Sequence, residues 1–124
     1  MGIPGFGRVQ LLIMKALWQK NRATARDITG ALQEQVDIAH STVQTLLRKL
    51  EAKKAVGHDV EERTFVFYPL MTEEQVTRTA THDLLSRVFD GSAYGLVACL
   101  VRNENLSSKE LERIRQLVHT GEDE

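Results

Sequence analysis

The sequence has few of the residues that crosslink or interrupt small proteins. Its 124 residues include one cysteine, two prolines and one tryptophan. A single cysteine excludes an intramolecular disulfide and is typical of a reducing compartment. No apolar run approaches the roughly 18 residues that a membrane-spanning helix needs, and the N-terminus lacks a charged segment followed by an apolar core. We therefore expect a cytoplasmic protein that has no membrane partner.

Motifs that carry catalysis or bind metal are also missing. The histidines His40, His58, His82 and His119 show none of the spacings of a metal site. There is no glycine-rich phosphate loop and no nucleophile motif. Cys99 lies in the apolar run LVACLV, which favours an inert buried thiol over a redox-sensing or metal-sensing one. These absences predict a protein that is not an enzyme and uses no cofactor or metal.

Charge is uneven along a chain whose net charge is only −1. Residues 1–70 carry ten Lys or Arg against seven Asp or Glu, whereas residues 71–124 carry six against ten. This asymmetry predicts a basic half that meets nucleic acid, followed by an acidic half. The alternative is a chance scatter of surface charge.

Helical periodicity fills the first half until the pattern changes after Lys54. Apolar residues repeat at helical spacing over residues 9–20, 24–35 and 39–54. Thr24 begins the second helix as part of a capping box, and mid-helix Gly30 is expected where another helix comes close. The runs VGHDV and RTFVFYP then predict a β-hairpin that turns at Glu61–Glu62. This order predicts a winged helix-turn-helix.

The third helix has an unusual polar face. Its apolar stripe consists of Val43, Leu46, Leu47 and Leu50. The opposite face combines hydrogen-bonding side chains that suit base edges with cations that suit phosphates, namely Ser41, Thr42, Gln44, Thr45, Arg48 and Lys49. Alternatively, Ser41 and Thr42 cap the helix, and Arg48 and Lys49 are only solvated charges.

Four further residues are candidates for contacts with the DNA backbone. Lys53 and Lys54 follow the third helix and would reach flanking phosphates, and Arg63 lies at the tip of the hairpin. Thr24 is either a helix cap, a phosphate ligand or both.

The second half predicts three helices in residues 72–124, two of which start at capping boxes. A unit this small rarely buries enough apolar surface to be stable by itself. We predict a winged-helix DNA-binding domain over residues 1–71 and a helical dimerisation domain over residues 72–124; the alternative is a single-domain monomer. The apolar residues expected to hold two copies together are Val76, Leu84, Leu85, Val88, Leu96, Val97, Leu100, Leu111, Ile114, Leu117 and Val118.

Several segments resemble the penicillinase and methicillin-resistance repressor family. They are VQLLIMKALW in the first helix, STVQTLLRKLEAKKAV in the third, RTFVFYP in the hairpin, and FDGSAYGLVACLV and LSSKELERIRQL further on, so that the resemblance covers about residues 8–119. It implies a dimeric repressor that binds palindromic operators. Carried over by position, it places DNA contacts at Ser41, Thr42, Gln44, Thr45 and Lys49, with a hairpin contact near Arg63.

Three departures from the family pattern affect the tip of the hairpin and the signal. Glu62 stands where the family's turn usually has glycine, so a carboxylate there would repel phosphate. Cys99–Leu100 replaces the Asn–Phe bond at which antibiotic-responsive members are cleaved. The paired CxC cysteines of the copper-responsive members are absent, so copper sensing is not expected.

Together these features predict a dimeric, sequence-specific regulator of transcription. We expect a repressor that binds double-stranded DNA as a homodimer. The alternative is a winged helix that binds only other proteins; the acidic second half favours that alternative, and the Ser/Thr/Gln face argues against it.

Overall fold

Six α-helices and one small antiparallel sheet make up residues 6–121, the part of the chain that this computed structural model describes. The elements are α1 (Arg8–Lys20), β1 (Ala23–Thr24), α2 (Ala25–Gln33), α3 (His40–Ala52), β2 (Val56–Glu61), β3 (Thr64–Pro69), α4 (Glu73–Phe89), α5 (Ala93–Asn103) and α6 (Ser108–Thr120). The predicted fold class, mainly helical with one hairpin, is confirmed. The chain divides into two compact units between Thr81 and His82, within α4.

The first unit is built around the apolar faces of α1, α2 and α3. The stripe predicted for α3 is confirmed, because Val43, Leu47 and Leu50 are buried and Leu46 is partly buried. Trp18 ties α1 to the segment before α4, since its indole Nε1–H donates to the carbonyl of Met71 at 2.8 Å. Burial of the apolar faces of α1, α2 and α3 contributes most to the stability of the unit. The other core residues are Ile13, Met14, Ala16, Leu17, Ala23, Ile28, Leu32, Ala55, Val56 and Phe67.

Capping boxes start the helices where the sequence predicted them. The Asp27 N–H donates to Thr24 Oγ1 at 3.1 Å, and the Thr24 N–H donates to Asp27 Oδ2 at 3.2 Å. The same reciprocal pair joins Thr72 and Gln75 at the start of α4. Each pair satisfies backbone donors that the first turn of a helix leaves without a partner.

The hairpin turns one residue later than predicted. Glu61 pairs with Thr64, so the two-residue loop is Glu62–Arg63 instead of Glu61–Glu62. Both loop residues have positive φ, 50° and 68°, as in a type I′ turn, which matches the twist of the strands. A third strand was not predicted: β1 pairs with β3 through two residues, Ala23 and Thr24. It fastens the hairpin to the start of α2.

Glycine at position 62 is expected to stabilise the protein. A non-glycine residue with positive φ destabilises the folded state by about 1–2 kcal/mol. Glycine avoids this strain, but it loses more conformational entropy on folding, which offsets part of the gain. Glu62→Gly should therefore raise the free energy of unfolding by about 1 kcal/mol. Thr64→Gly is the matched control in urea denaturation, because Thr64 lies in β3 without positive φ and should lose stability. Equal effects of the two changes would contradict the role assigned to the turn.

Two expectations about single residues are wrong. Gly30 is exposed, and a Cβ added there would have no heavy atom within 4 Å apart from its neighbours and the backbone of its own helix, so it does not mark the approach of another helix. Cys99 is exposed in the single chain, so the interpretation of a buried thiol does not hold for one copy.

The second unit contains the end of α4 with α5 and α6. Ser107 caps α6 by accepting from the Glu110 N–H at 3.0 Å, which is one of the two hydrogen bonds of the predicted capping box. From His82 to Gly121 no residue is buried. Among residues 6–121 no single helix is long and apolar enough to cross a membrane, although the bent pair α4 and α5 passes that test of length and composition together.

Candidate nucleic-acid interface

The polar face of α3 is exposed to solvent. The six residues predicted for this face, from Ser41 to Lys49, are all exposed. The helix begins at His40, its N-cap is Ala39, and no side chain caps it. Ser41 and Thr42 are therefore not caps, and the alternative explanation for their hydroxyls is removed. Thr45 donates to the carbonyl of Ser41 at 3.1 Å, so its hydroxyl oxygen can still accept a hydrogen bond.

A hydrogen bond holds the start of α3 against α2. The buried Thr29 donates its hydroxyl hydrogen to the carbonyl of Ala25 at 2.8 Å, and its Oγ1 lies 2.7 Å from His40 Nδ1. Because a hydroxyl carries one hydrogen, Nδ1 of His40 must be the donor in the second bond. This contact fixes the angle at which the exposed face of α3 is presented.

Residues of α2, α3 and the hairpin line a groove of about 550 Å³. It brings together four residues that the sequence predicted as DNA contacts, Thr24, Gln44, Arg48 and Arg63. It also contains residues that the sequence reasoning missed, chiefly Arg26, His40, Glu51 and Phe65. Arg26 lies in the first turn of α2, two residues after its N-cap Thr24, and this position could have singled it out. Phe65 and Phe67 both lie in β3. Phe67 is buried, whereas Phe65 is half-exposed.

The remaining predicted cations lie outside this groove. Lys49 and Lys54 are exposed. Lys53 is partly buried, with its ammonium 3.4 Å from Gln10 Oε1 and 5.7 Å from the centre of the Phe6 ring. The Thr24 hydroxyl accepts the cap hydrogen bond and still has its own hydrogen to donate. Capping and phosphate binding by Thr24 are therefore compatible.

Most carboxylates near the hairpin are paired. Both carboxylate oxygens of Glu51 lie within 2.9 Å of His58 Nδ1, and the His58 ring stacks on Phe65 at 3.9 Å. Arg22 contacts Asp59 at 3.1 Å and Glu61 at 2.6 Å. The hydrogen bonds that the Arg22 guanidinium donates to Asp59 and Glu61 raise its pKa. Within residues 6–121, Glu62 at the tip has no ion pair, so it remains the least favourable charge for phosphate.

No group of three or more His, Cys, Asp or Glu side chains in residues 6–121 is arranged to hold a metal ion. The candidate site is instead a polar helix face beside a groove with several cations. Such a surface suits a polyanion with readable base edges.

Comparison with known proteins decides the family. The profile of the penicillinase repressor family matches residues 6–120. The chain belongs to this family. It is 27% identical to the penicillinase repressor of Bacillus licheniformis over 94% of this chain and 91% of that protein. It is also 27% identical to the methicillin resistance regulatory protein MecI of Staphylococcus aureus (strain N315), over 86% of this chain and 87% of that protein.

A solved structure agrees with part of this penicillinase repressor family member. The solution structure of the DNA binding domain of the repressor BlaI matches with a TM-score of 0.54 and 29% identity, covering 60% of this chain and 93% of that one. The resemblance proposed from the sequence is confirmed. The chain is a DNA-binding transcriptional repressor and not an enzyme.

Proposed function

We propose that this repressor binds operator DNA with α3 in the major groove. The observation that carries the proposal is the exposed face of α3, which has no carboxylate among its six polar residues. Gln44 is suited to pair with the N6 and N7 atoms of adenine, and the methyl groups of Thr42 and Thr45 are suited to a thymine methyl. Ser41 adds a hydroxyl for a base or a phosphate. Arg48 and Lys49, further along the helix, contact phosphates.

The hairpin and the ends of the helices contact the flanking backbone in this proposal. Arg63 at the tip and Thr24 at the N-terminus of α2 contact phosphates on either side of the groove, where the helix dipole also favours an anion. Lys53 and Lys54 extend the contact beyond α3. These contacts set the register and orientation of the protein on DNA without reading its sequence.

The repressor acts as a homodimer through its second unit. Residues 82–121 contain no buried residue, and an apolar surface without a core of its own requires a partner. A second copy supplies the same surface, and two-fold symmetry then matches a palindromic operator with two half-sites. Val76 is an exception among the proposed contacts, because it is only 8% exposed in the single chain. Seven of the proposed contacts are exposed in the single chain, namely Leu84, Val88, Val97, Leu100, Leu111, Leu117 and Val118. Leu85, Leu96 and Ile114 are partly buried.

Footprinting on the DNA that flanks its own coding region tests this function. We expect two protected half-sites related by a palindrome, with a complex that weakens steeply as salt rises from about 50 to 200 mM. An operator-binding repressor acts where the chromosome lies, and we therefore also propose that this protein is cytoplasmic. Absence of a sequence-selective complex over that salt range would contradict the proposal and favour a protein-binding winged helix.

Changes at Gln44 and Lys49 should separate base reading from backbone contact. Gln44→Ala should relax the preference at one base pair and cost about 1–3 kcal/mol on the operator. Lys49→Gln should weaken binding to all sequences alike and lower the salt slope by about one. Affinities on the operator and on point-mutated operators measure both effects. If the two variants lose affinity equally on every sequence, the division of roles is wrong.

A further inference from the structure

Three arginines line the groove between α3 and the hairpin. Arg26 comes from α2, Arg48 from α3 and Arg63 from the turn. Within residues 6–121, none of their guanidinium groups makes an ion pair or a side-chain hydrogen bond. Four other arginines are paired with carboxylates, namely Arg22, Arg78, Arg87 and Arg115. Cations that three separate elements place along one groove favour the binding of an anion.

The groove also has an apolar wall, which a phosphate backbone does not require. Leu47 and Phe67, both nearly fully buried, form part of its lining. Phe65 stacks on His58, and 49% of its surface is exposed. The volume of about 550 Å³ lies within the roughly 300–1,000 Å³ that is typical of small-molecule sites. Apolar walls with a few convergent charged groups are the usual lining of such sites.

We propose that this groove binds a small aromatic anion. Its ring would pack against Phe65 and Leu47, and its carboxylate would be held by the guanidinium groups, which match a carboxylate in a bidentate way. Of the three arginines, Arg26 alone is not assigned to DNA in the proposed function. The inference rests on the proposed function in one respect: Arg48 and Arg63 are also assigned to DNA, so the aromatic anion and the operator exclude each other. The repressor then releases DNA in response to such a ligand.

Calorimetric titration of the full chain with 2-naphthoate, without DNA, tests the site. We expect binding of one molecule per chain, weakened at least tenfold by Arg26→Gln and by Phe65→Ala. Arg8→Gln is the matched control, since Arg8 is an exposed arginine of α1 that does not line the groove, and it should bind like the parent. The neutral analogue 2-naphthalenemethanol and inorganic phosphate should each bind at least tenfold more weakly than 2-naphthoate.

The outcomes separate this inference from the proposed function. No saturable binding of 2-naphthoate, or equal binding by the Arg26→Gln variant, overturns the site even where the protein still binds its operator. Equal binding of phosphate and 2-naphthoate overturns the role of the apolar wall. In the second arm, the apparent Kd for the operator should rise in proportion to 2-naphthoate, and an unchanged Kd overturns the competition. A protein that binds 2-naphthoate but no DNA refutes the proposed function and leaves the site standing.

Discussion

Replacing Leu100 by glutamate is expected to convert the repressor into a monomer and to weaken operator binding roughly a thousandfold. Leu100 lies on α5 and is 44% exposed in the single chain. In the proposed dimer, a carboxylate at this position would be buried without a partner, which costs about 3–5 kcal/mol. A monomer contacts only one half-site, so the cost of breaking the dimer appears as weaker operator binding. A cost of about 4 kcal/mol corresponds to the thousandfold change.

Sedimentation equilibrium at micromolar protein and operator gel shifts measure the two parts of this prediction. Lys109→Gln is the matched control: it also changes the charge by one unit, but it replaces an exposed polar side chain on α6. The control should remain dimeric and keep its operator affinity. A dimeric Leu100→Glu variant would mean that Leu100 lies outside the interface and that another surface joins the copies.

Features set by neighbouring residues in the chain were predictable from the sequence. The apolar stripe of α3 follows from the helical repeat, and the capping boxes at Thr24 and Thr72 follow from a hydroxyl and a polar side chain three residues apart. These patterns need no information about distant parts of the fold. The confirmed order of helices and hairpin follows from them.

The features that the sequence did not reveal depend on residues far apart in the chain. The strand β1 exists only because Ala23 and Thr24 meet β3, more than 40 residues later. The groove appears only when the hairpin lies opposite α2 and α3, and so Arg26 and Phe65 could not be grouped beforehand. The turn lies one residue later than predicted because Glu61 pairs with Thr64, and this register depends on which face of the hairpin is buried as well as on the turn itself.

The errors at Gly30 and Cys99 have a related cause. Gly30 lies in the middle of α2, but that position is on the exposed side of the helix, where the absence of a side chain has no packing role. Cys99 lies among apolar residues, and burial of such a run requires a surface to cover it. The single chain does not provide that surface. An apolar run therefore predicts burial in an assembly, which the proposed dimer supplies.

The largest effect on folding is expected from Leu50→Ala. Leu50 is 0% exposed in the core that supports α3, and removal of its side chain leaves a cavity. The change should lower the free energy of unfolding by about 3 kcal/mol and the Tm by roughly 10–20 °C. The polar face of α3 keeps its residues, so operator affinity should be retained at temperatures where the variant is still folded.

Leu46→Ala is the matched control, because it removes the same atoms from the same helix at a partly buried position. It should cost clearly less stability than Leu50→Ala in thermal unfolding followed by circular dichroism. Equal losses would mean that the buried side of α3 has been assigned incorrectly. The orientation of its polar face toward DNA would then fail as well, because one rotation of the helix decides both sides. A stability measurement without DNA thus tests the geometry on which the proposed operator contacts depend.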